Sequence, residues 1–241
     1  MKIAVLADIH GNLEAFQTVL EDLDQQAVDA VYCLGDFIDY GADSEEVARE
    51  IIRRKIPTIM GNHEYALLDS RILSALNEIA YESLMITKNR ISEATLDFIR
   101  ALPIYLVAEN IRFVHGVPPD SLEDYIIYYP DRYLNYIFQS FPEQIAFIGH
   151  THTLGLYTYN GNYVVIESLH EREYSLDPQK RYIINIGSVG QPRDNNKQAK
   201  YVIYNNQTKI LTIRFLTYDA EQAASKIIKA GLPEYNAIRL L

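Results

Sequence analysis

The first sixty residues alternate between short apolar runs and amphipathic stretches, and this limits the fold more than any other property of the chain. Lys2–Ala7 (KIAVLA) is rich in Ile, Val and Leu and too short for a helix, so it suits a buried strand. Leu13, Phe16, Val19, Leu20 and Leu23 then recur at helical spacing behind Asn12, a favourable N-cap. Ala30–Leu34 repeats the strand pattern. Ser44–Arg54 repeats the helix pattern, with Ser44 read as its cap and Glu45 and Glu46 in its first turn, and Pro57–Met60 reads as a third strand. Such alternation predicts a parallel sheet covered on both faces.

The texture changes further on. Between Tyr65 and Leu102, the residues Leu67, Leu68, Ile72, Leu76, Ile79 and Leu84 predict helices, and Pro103 ends the region. Ile104–Ala108, Ile111–His115 and Ile145–Gly149 read as strands. Asn160–Gly161 signals a hairpin between Leu156–Tyr159 and Tyr163–Glu167, and Asn205–Lys209 joins Tyr201–Tyr204 to Ile210–Leu216. A last helix, Ala220–Ala230, stops at Gly231 with Pro233 beyond it. No repeat, low-complexity tract or flexible linker interrupts the chain, so a single domain over residues 1–241 is expected.

Composition narrows the setting. With 48% apolar residues among 241, the chain can bury a substantial core. One cysteine, Cys33, cannot form an intrachain disulfide, and MKIAVLADIH turns polar within ten residues without a leader-like apolar stretch. A cytoplasmic protein without membrane partners is expected. The formal charge of −10 argues against stable binding to nucleic acid.

The chemistry-bearing residues sit where strands end. Asp8 and His10 leave the first strand two residues apart, a spacing that aims both side chains to one side of an extended segment. Gly35-Asp36-Phe37-Ile38-Asp39 follows the second strand and Gly61-Asn62-His63-Glu64 the third. His115 follows Ile111–Val114, and Gly149-His150-Thr151-His152 follows Ile145–Ile148. Imidazole and carboxylate together suit divalent transition metals. Each motif alone is compatible with an ordinary turn, but five of the six histidines lie at predicted strand ends. In a doubly wound sheet those ends face one ligand-binding crevice. The sixth, His170, reads as a surface residue.

The ordered set Asp-x-His, Gly-Asp-x-x-Asp, Gly-Asn-His-Glu, His-Gly and Gly-His-Thr-His resembles the calcineurin-like metallophosphoesterase superfamily. Asn185–Arg193 (NIGSVGQPR) is similar to a segment of its smaller bacterial and archaeal phosphodiesterases. The resemblance implies an α/β fold, a four-layer α-β-β-α sandwich with two divalent metal ions at one end of paired sheets. One ion would be bound by Asp8, His10 and His152, the other by Asn62, His115 and His150, with Asp36 bridging. His63 would be the catalytic histidine beside the leaving-group oxygen, with Asn62 also near the substrate. Two ions ~3.5–4 Å apart would lower the pKa of a bridging water and clamp the phosphoryl group for in-line attack. Asp39 is a candidate partner orienting His63 as general acid, although a hydrated turn carboxylate looks the same in sequence.

Two departures bear on substrate. Ser/Thr phosphatases of this superfamily carry arginine after the second aspartate, where this chain has Tyr40, and this weakens a phosphoprotein phosphatase reading. Glu64 stands where relatives often have aspartate and is expected to matter little. Arg193 either replaces the missing charge as a substrate-binding residue or belongs to a purely geometric turn. Tyr125–Tyr136, with five tyrosines, is either an aromatic wall over the substrate or, the preferred reading, an amphipathic helix covering the core. The expected activity is hydrolysis of a small phosphoester or nucleotide. A non-catalytic scaffold on the same fold, as in the retromer subunit, is the alternative and would be expected to have lost ligands. Mn, Fe, Zn, Ni and Co all fit the donor set, and oligomeric state is open.

Overall fold

The computed structural model describes all 241 residues, Met1–Leu241. The elements in chain order are β1 (Lys2–Leu6), α1 (Leu13–Gln25), β2 (Ala30–Cys33), α2 (Ser44–Arg54), α3 (Asn62–Leu68), α4 (Ser70–Ala75), α5 (Glu78–Lys88), α6 (Glu93–Arg100), β3 (Tyr105–Ala108) and β4 (Ile111–Val114). After a 3₁₀ turn at Ile126–Tyr128 come α7 (Asp131–Gln139), β5 (Ile145–Ile148), β6 (Leu154–Tyr159), β7 (Val164–Glu167), β8 (Glu173–Ser175) and β9 (Arg181–Ile186). β10 (Ala199–Asn205), β11 (Ile210–Leu216), α8 (Ala220–Lys229) and α9 (Glu234–Ile238) complete the chain.

The strands form two sheets, in the orders β2-β1-β10-β11-β8 and β3-β4-β5-β9-β6-β7. Alternating residues of β1 show why they stack. Ile3 and Val5 face the second sheet and share a cluster with Phe113, Phe147, Ile184, Val202 and Leu211. Ala4 and Leu6 face the other way, against Phe16, Val19 and Leu20 of α1 and Val47 and Ile51 of α2. On the far side of the second sheet, Ala146, Ile148 and Ile183 meet Leu134, Ile137 and Phe138 of α7. The order of layers is therefore helices, sheet, sheet, helix, the α-β-β-α sandwich that the resemblance implies. Both faces of the central strands are buried, so they read as unbroken apolar runs.

Both sheets are mixed, with the parallel pairing expected of the first sixty residues and antiparallel hairpins in the second half. β1 pairs with β2 in parallel, as do β4 with β5 and β5 with β9, but β10, β11, β3, β6, β7 and β8 are held by antiparallel pairings. Hairpins in the second half supply these strands, and a two-sheet stack needs no helical crossover between them. Pro57–Met60 is not a strand. It makes one bridge, Cys33 to Thr58, and then peels away as the Met60 amide turns to the Pro103 carbonyl at 2.8 Å. Pro57 has no amide to extend the ladder. Ser44 is not the cap of α2 either; Asp43 holds that position. Ser44 Oγ instead accepts the Asp39 amide at 2.9 Å. β9 and α9 lie in segments that the periodicity did not single out.

Candidate active site

β1, β2, β4, β5 and β9 all send their C-terminal ends to one edge of the sandwich. Asp8 and His10 follow β1, Asp36 and Asp39 follow β2, His115 follows β4, His150 and His152 follow β5, and Arg193 follows β9. Asn62 and His63 open α3, which starts where the chain leaves β2's edge. Asp8, His10, Asp36 and His152 place donor atoms within 4.8 Å of one another, and so do Asp36, His115 and His150. Asp36 belongs to both groups. Asn62 Oδ1 joins the second, 3.1 Å from His115 Nε2. These seven donor residues are all buried, none more than 7% exposed, whereas Arg193 is half-buried.

The imidazoles are preset as ligands. His10 Nδ1 donates to the Ile38 carbonyl at 3.0 Å, His115 Nδ1 to Leu34 at 2.8 Å and His152 Nδ1 to Gln191 at 2.7 Å. His150 Nε2 donates to the Glu123 carbonyl at 3.1 Å. A carbonyl only accepts, so each of these nitrogens carries its proton and the other nitrogen offers a lone pair. His10 Nε2 and His152 Nε2 then face each other at 3.1 Å, lone pair toward lone pair. That contact is repulsive unless a cation lies within reach of both, so the donors fit divalent metal ions. Burial pushes His10 and His152 well below the ordinary imidazole range and His150 down to about 3, keeping them neutral. Burial opposes the Asp36 charge, but His115 and His63 outweigh it and hold the carboxyl well below the usual range.

The backbone is strained here. Seven of the thirteen non-glycine residues with positive φ are Asp8, His10, Asp36, Asp39, Tyr40, His150 and His152. Aspartate and histidine tolerate this conformation better than most residue types, and strain of this kind gathers where side chains must be aimed.

Glu64 corrects the expectation that it matters little. Its wholly buried carboxylate accepts the amides of Asp36 at 2.7 Å, Phe37 at 2.9 Å, Ile38 at 3.2 Å and Gly61 at 2.9 Å. It shapes the loop that carries Asp36 and ties it to α3. The signal was present in sequence, since a glutamate at the third helical position commonly reaches back to the helix start.

His63 Nδ1 bonds Asp39 Oδ2 at 2.7 Å, and its Nε2 points to Asp36 Oδ2 at 3.9 Å. Burial alone would lower the imidazole, but Asp36 and Asp39 outweigh it and raise it. Tyr40 lies against both His10 and His63, with ring centroids 4.6 and 4.7 Å away.

The Asn185–Arg193 segment both supports the site and delivers a charge to it. Val189 N bonds the Ala7 carbonyl and Gly190 N the Asp8 carbonyl, each at 3.0 Å. At Gly190 a side chain would run into the Ile9 carbonyl. Arg193 N bonds the His152 carbonyl at 3.1 Å, which brings its guanidinium beside the cluster. Tyr125–Tyr136 divides between its two readings. Tyr125 lies against His150 with centroids 3.8 Å apart and the rings tilted by 32°, while α7 buries Leu134 against the core and leaves Tyr133 and Tyr136 exposed. His170 is exposed and outside the site. Gln191 and Tyr125 lie in segments that the sequence singled out, although neither was named there as a site residue in its own right.

Two donor groups that share one carboxylate, set at the strand ends of a double sheet, define a class of protein: the metal-dependent phosphoester hydrolases. The family follows from comparison. Residues 1–209 match the model of the calcineurin-like phosphoesterase superfamily domain, and the chain belongs to that family. It is 35% identical to an uncharacterised protein of Methanocaldococcus jannaschii over 99% of this chain and 96% of that one. A metallophosphoesterase from Sphaerobacter thermophilus has the same fold at TM-score 0.85 and 30% identity, covering 100% of this chain and 98% of the other. A symmetrical bis(5'-nucleosyl)-tetraphosphatase of Delftia acidovorans is 29% identical over 48% of this chain and 41% of its own length. No helix is long and apolar enough to cross a membrane.

Proposed function

We propose that the chain hydrolyses a small phosphoester or nucleotide, with Asp8, His10 and His152 holding one divalent ion, Asn62, His115 and His150 a second, and Asp36 shared between them. When bound, such ions offset the charge of the phosphoryl oxygens and lower the pKa of water for attack. The protein's own part is proton transfer and positioning. The observation that carries this reading is the buried His63–Asp39 pair, whose free Nε2 is aimed at the shared carboxylate from outside both donor groups. Protonated His63 donates from Nε2 to the leaving oxygen, while Asp39 holds the ring and stabilises its charge. Asn62 and Arg193 contact the phosphoryl oxygens, and Tyr40 and Tyr125 wall the approach.

A scaffold that had given up catalysis would have no need to keep every donor and the His63–Asp39 pair. The net charge of −10 disfavours long polyanions at the surface, yet two divalent ions beside only two carboxylates, Asp8 and Asp36, leave the cleft floor positive. A compact substrate and a cytoplasmic setting follow from this reading. The test is turnover of an aryl phosphate monoester and diester by protein loaded in turn with Mn²⁺, Fe²⁺, Zn²⁺, Ni²⁺ and Co²⁺. No turnover with any of them, together with no bound metal, would put the scaffold reading ahead of the hydrolase.

A further inference from the structure

Arg193 is not the only positive charge at the mouth of the site. Its Nη2 donates to Gln191 Oε1 at 2.9 Å, and Arg239 Nη1, from just after α9, donates to the same oxygen at 3.1 Å. Two nitrogens bonded to one oxygen lie at most about 6 Å apart. Gln191 is 2% exposed, and its carbonyl holds His152. One buried amide therefore anchors two guanidiniums to a loop that carries a proposed metal ligand. Neither guanidinium pairs with a carboxylate. Asp194, next to Arg193 in sequence, is turned to Lys200 Nζ at 2.8 Å. Lys197 adds a third cation, with Nζ on the Arg239 carbonyl at 2.5 Å. Arg239 is the outer guanidinium, lying over the half-exposed Tyr235 ring at 4.6 Å, whereas Arg193 adjoins the donor cluster through the His152 backbone.

Unpaired like charges held side by side repel each other, and in an acidic chain they call for an anion that neutralises both. Guanidinium forks match phosphoryl oxygens in shape and charge. We propose that Arg193 and Arg239 form a second anion subsite, which takes the phosphoryl group next to the one being cleaved. The substrates are then polyphosphorylated compounds such as nucleoside polyphosphates, not simple monoesters. This rests on the phosphoesterase reading above. It draws on α9, which lies beyond the residues 1–209 that the family model matches.

The test compares kcat/KM for diadenosine tetraphosphate and for p-nitrophenyl phosphate, using full-length Mn²⁺-loaded protein. Arg239→Ala is expected to lower the ratio of the two by about tenfold or more, through KM, and Arg239→Lys to recover part of it. An equal loss on both substrates would make Arg239 a mere support for the His152 loop and overturn the subsite, as would no change on either. A second arm needs no turnover: calorimetric titration of inorganic pyrophosphate and inorganic phosphate into the metal-loaded protein. The preference for pyrophosphate is expected to fall about tenfold in Arg239→Ala, and an unaltered preference overturns the proposal. Protein that binds pyrophosphate through Arg239 yet turns over no ester would instead count against the phosphoesterase reading.

Discussion

His63 Nδ1 lies 2.7 Å from Asp39 Oδ2, with both residues buried and the Thr87 hydroxyl on the second carboxylate oxygen at 3.4 Å. The pair fixes Nε2 as the imidazole nitrogen that faces Asp36 and the donor groups. His63→Ala is expected to lower kcat by about 10²–10⁴-fold, the usual worth of a positioned general acid. Metal content should be unchanged. Asp39→Asn keeps a hydrogen-bonding group but removes its charge, so a smaller loss of about tenfold or more is expected. Full activity of His63→Ala with metal retained would sink the assignment.

Glu64 collects four backbone amides, and Glu64→Gln turns one of its oxygens into a donor facing them. An unsatisfied buried group of this kind costs about 1–3 kcal/mol. The Asp36 loop loses its support, so metal affinity is expected to fall about 10–100-fold, as when other outer partners of metal ligands are removed. Metal titration of the folded variant measures this. Wild-type affinity in Glu64→Gln would show that the loop is held by something else.

Ion removal should be visible in stability, because His10 and His152 turn lone pairs toward each other at 3.1 Å. Saturation at a hundred times Kd contributes about 2.7 kcal/mol per site. For a chain of this size that corresponds to a fall in Tm of about 5–10 °C for each ion removed, and about 10–20 °C when chelation removes both. Asp36→Asn should reduce the effect for both ions at once, since the shared oxygen loses its charge. A Tm indifferent to chelator and to added Mn²⁺ would argue against the proposed sites.

Away from the site, Asp22 joins α1 to the first sheet. Arg214 donates to both its oxygens at 2.6 and 3.1 Å, and Tyr201 donates to it as well. Burial would raise the Asp22 carboxyl, but the Arg214 and Tyr201 hydrogen bonds outweigh it and hold it below the ordinary value. A carboxyl lowered in the folded state stabilises the fold above its unfolded pKa of about 3.9, and that contribution is lost as pH falls through the folded value. Asp22→Asn should therefore cost about 1–3 kcal/mol at pH 7, with the difference from wild type shrinking below about pH 4. Denaturant midpoints at several pH values test this, and a difference that stays constant down to pH 2 would contradict it.

Much of the site was legible because its residues follow strands. Asp8, His10, Asp36, Asn62, His63, His115, His150 and His152 could be picked out by type and by position after apolar runs, and the structure brings all of them together. Glu64 was visible but undervalued, because a helix-start glutamate looks the same whether it holds one amide or four. Pro57–Met60 passed for a strand because apolar content does not show where the amides go.

Local patterning by itself determined β1, α1, β2 and α2, their buried faces, and the short list of donor residues, since these depend on neighbours in sequence. Stacking of two sheets and the sharing of Asp36 came from the family resemblance and not from local patterning, and tertiary structure alone decided that α9 reaches back across the chain to set Arg239 beside Arg193 on one amide oxygen. Gln191 and Arg239 are 48 positions apart, and the intervening sequence carries no periodic trace of that contact. It exists because packing α8 against α1 and α9 against α8 closes a distance that no local propensity encodes.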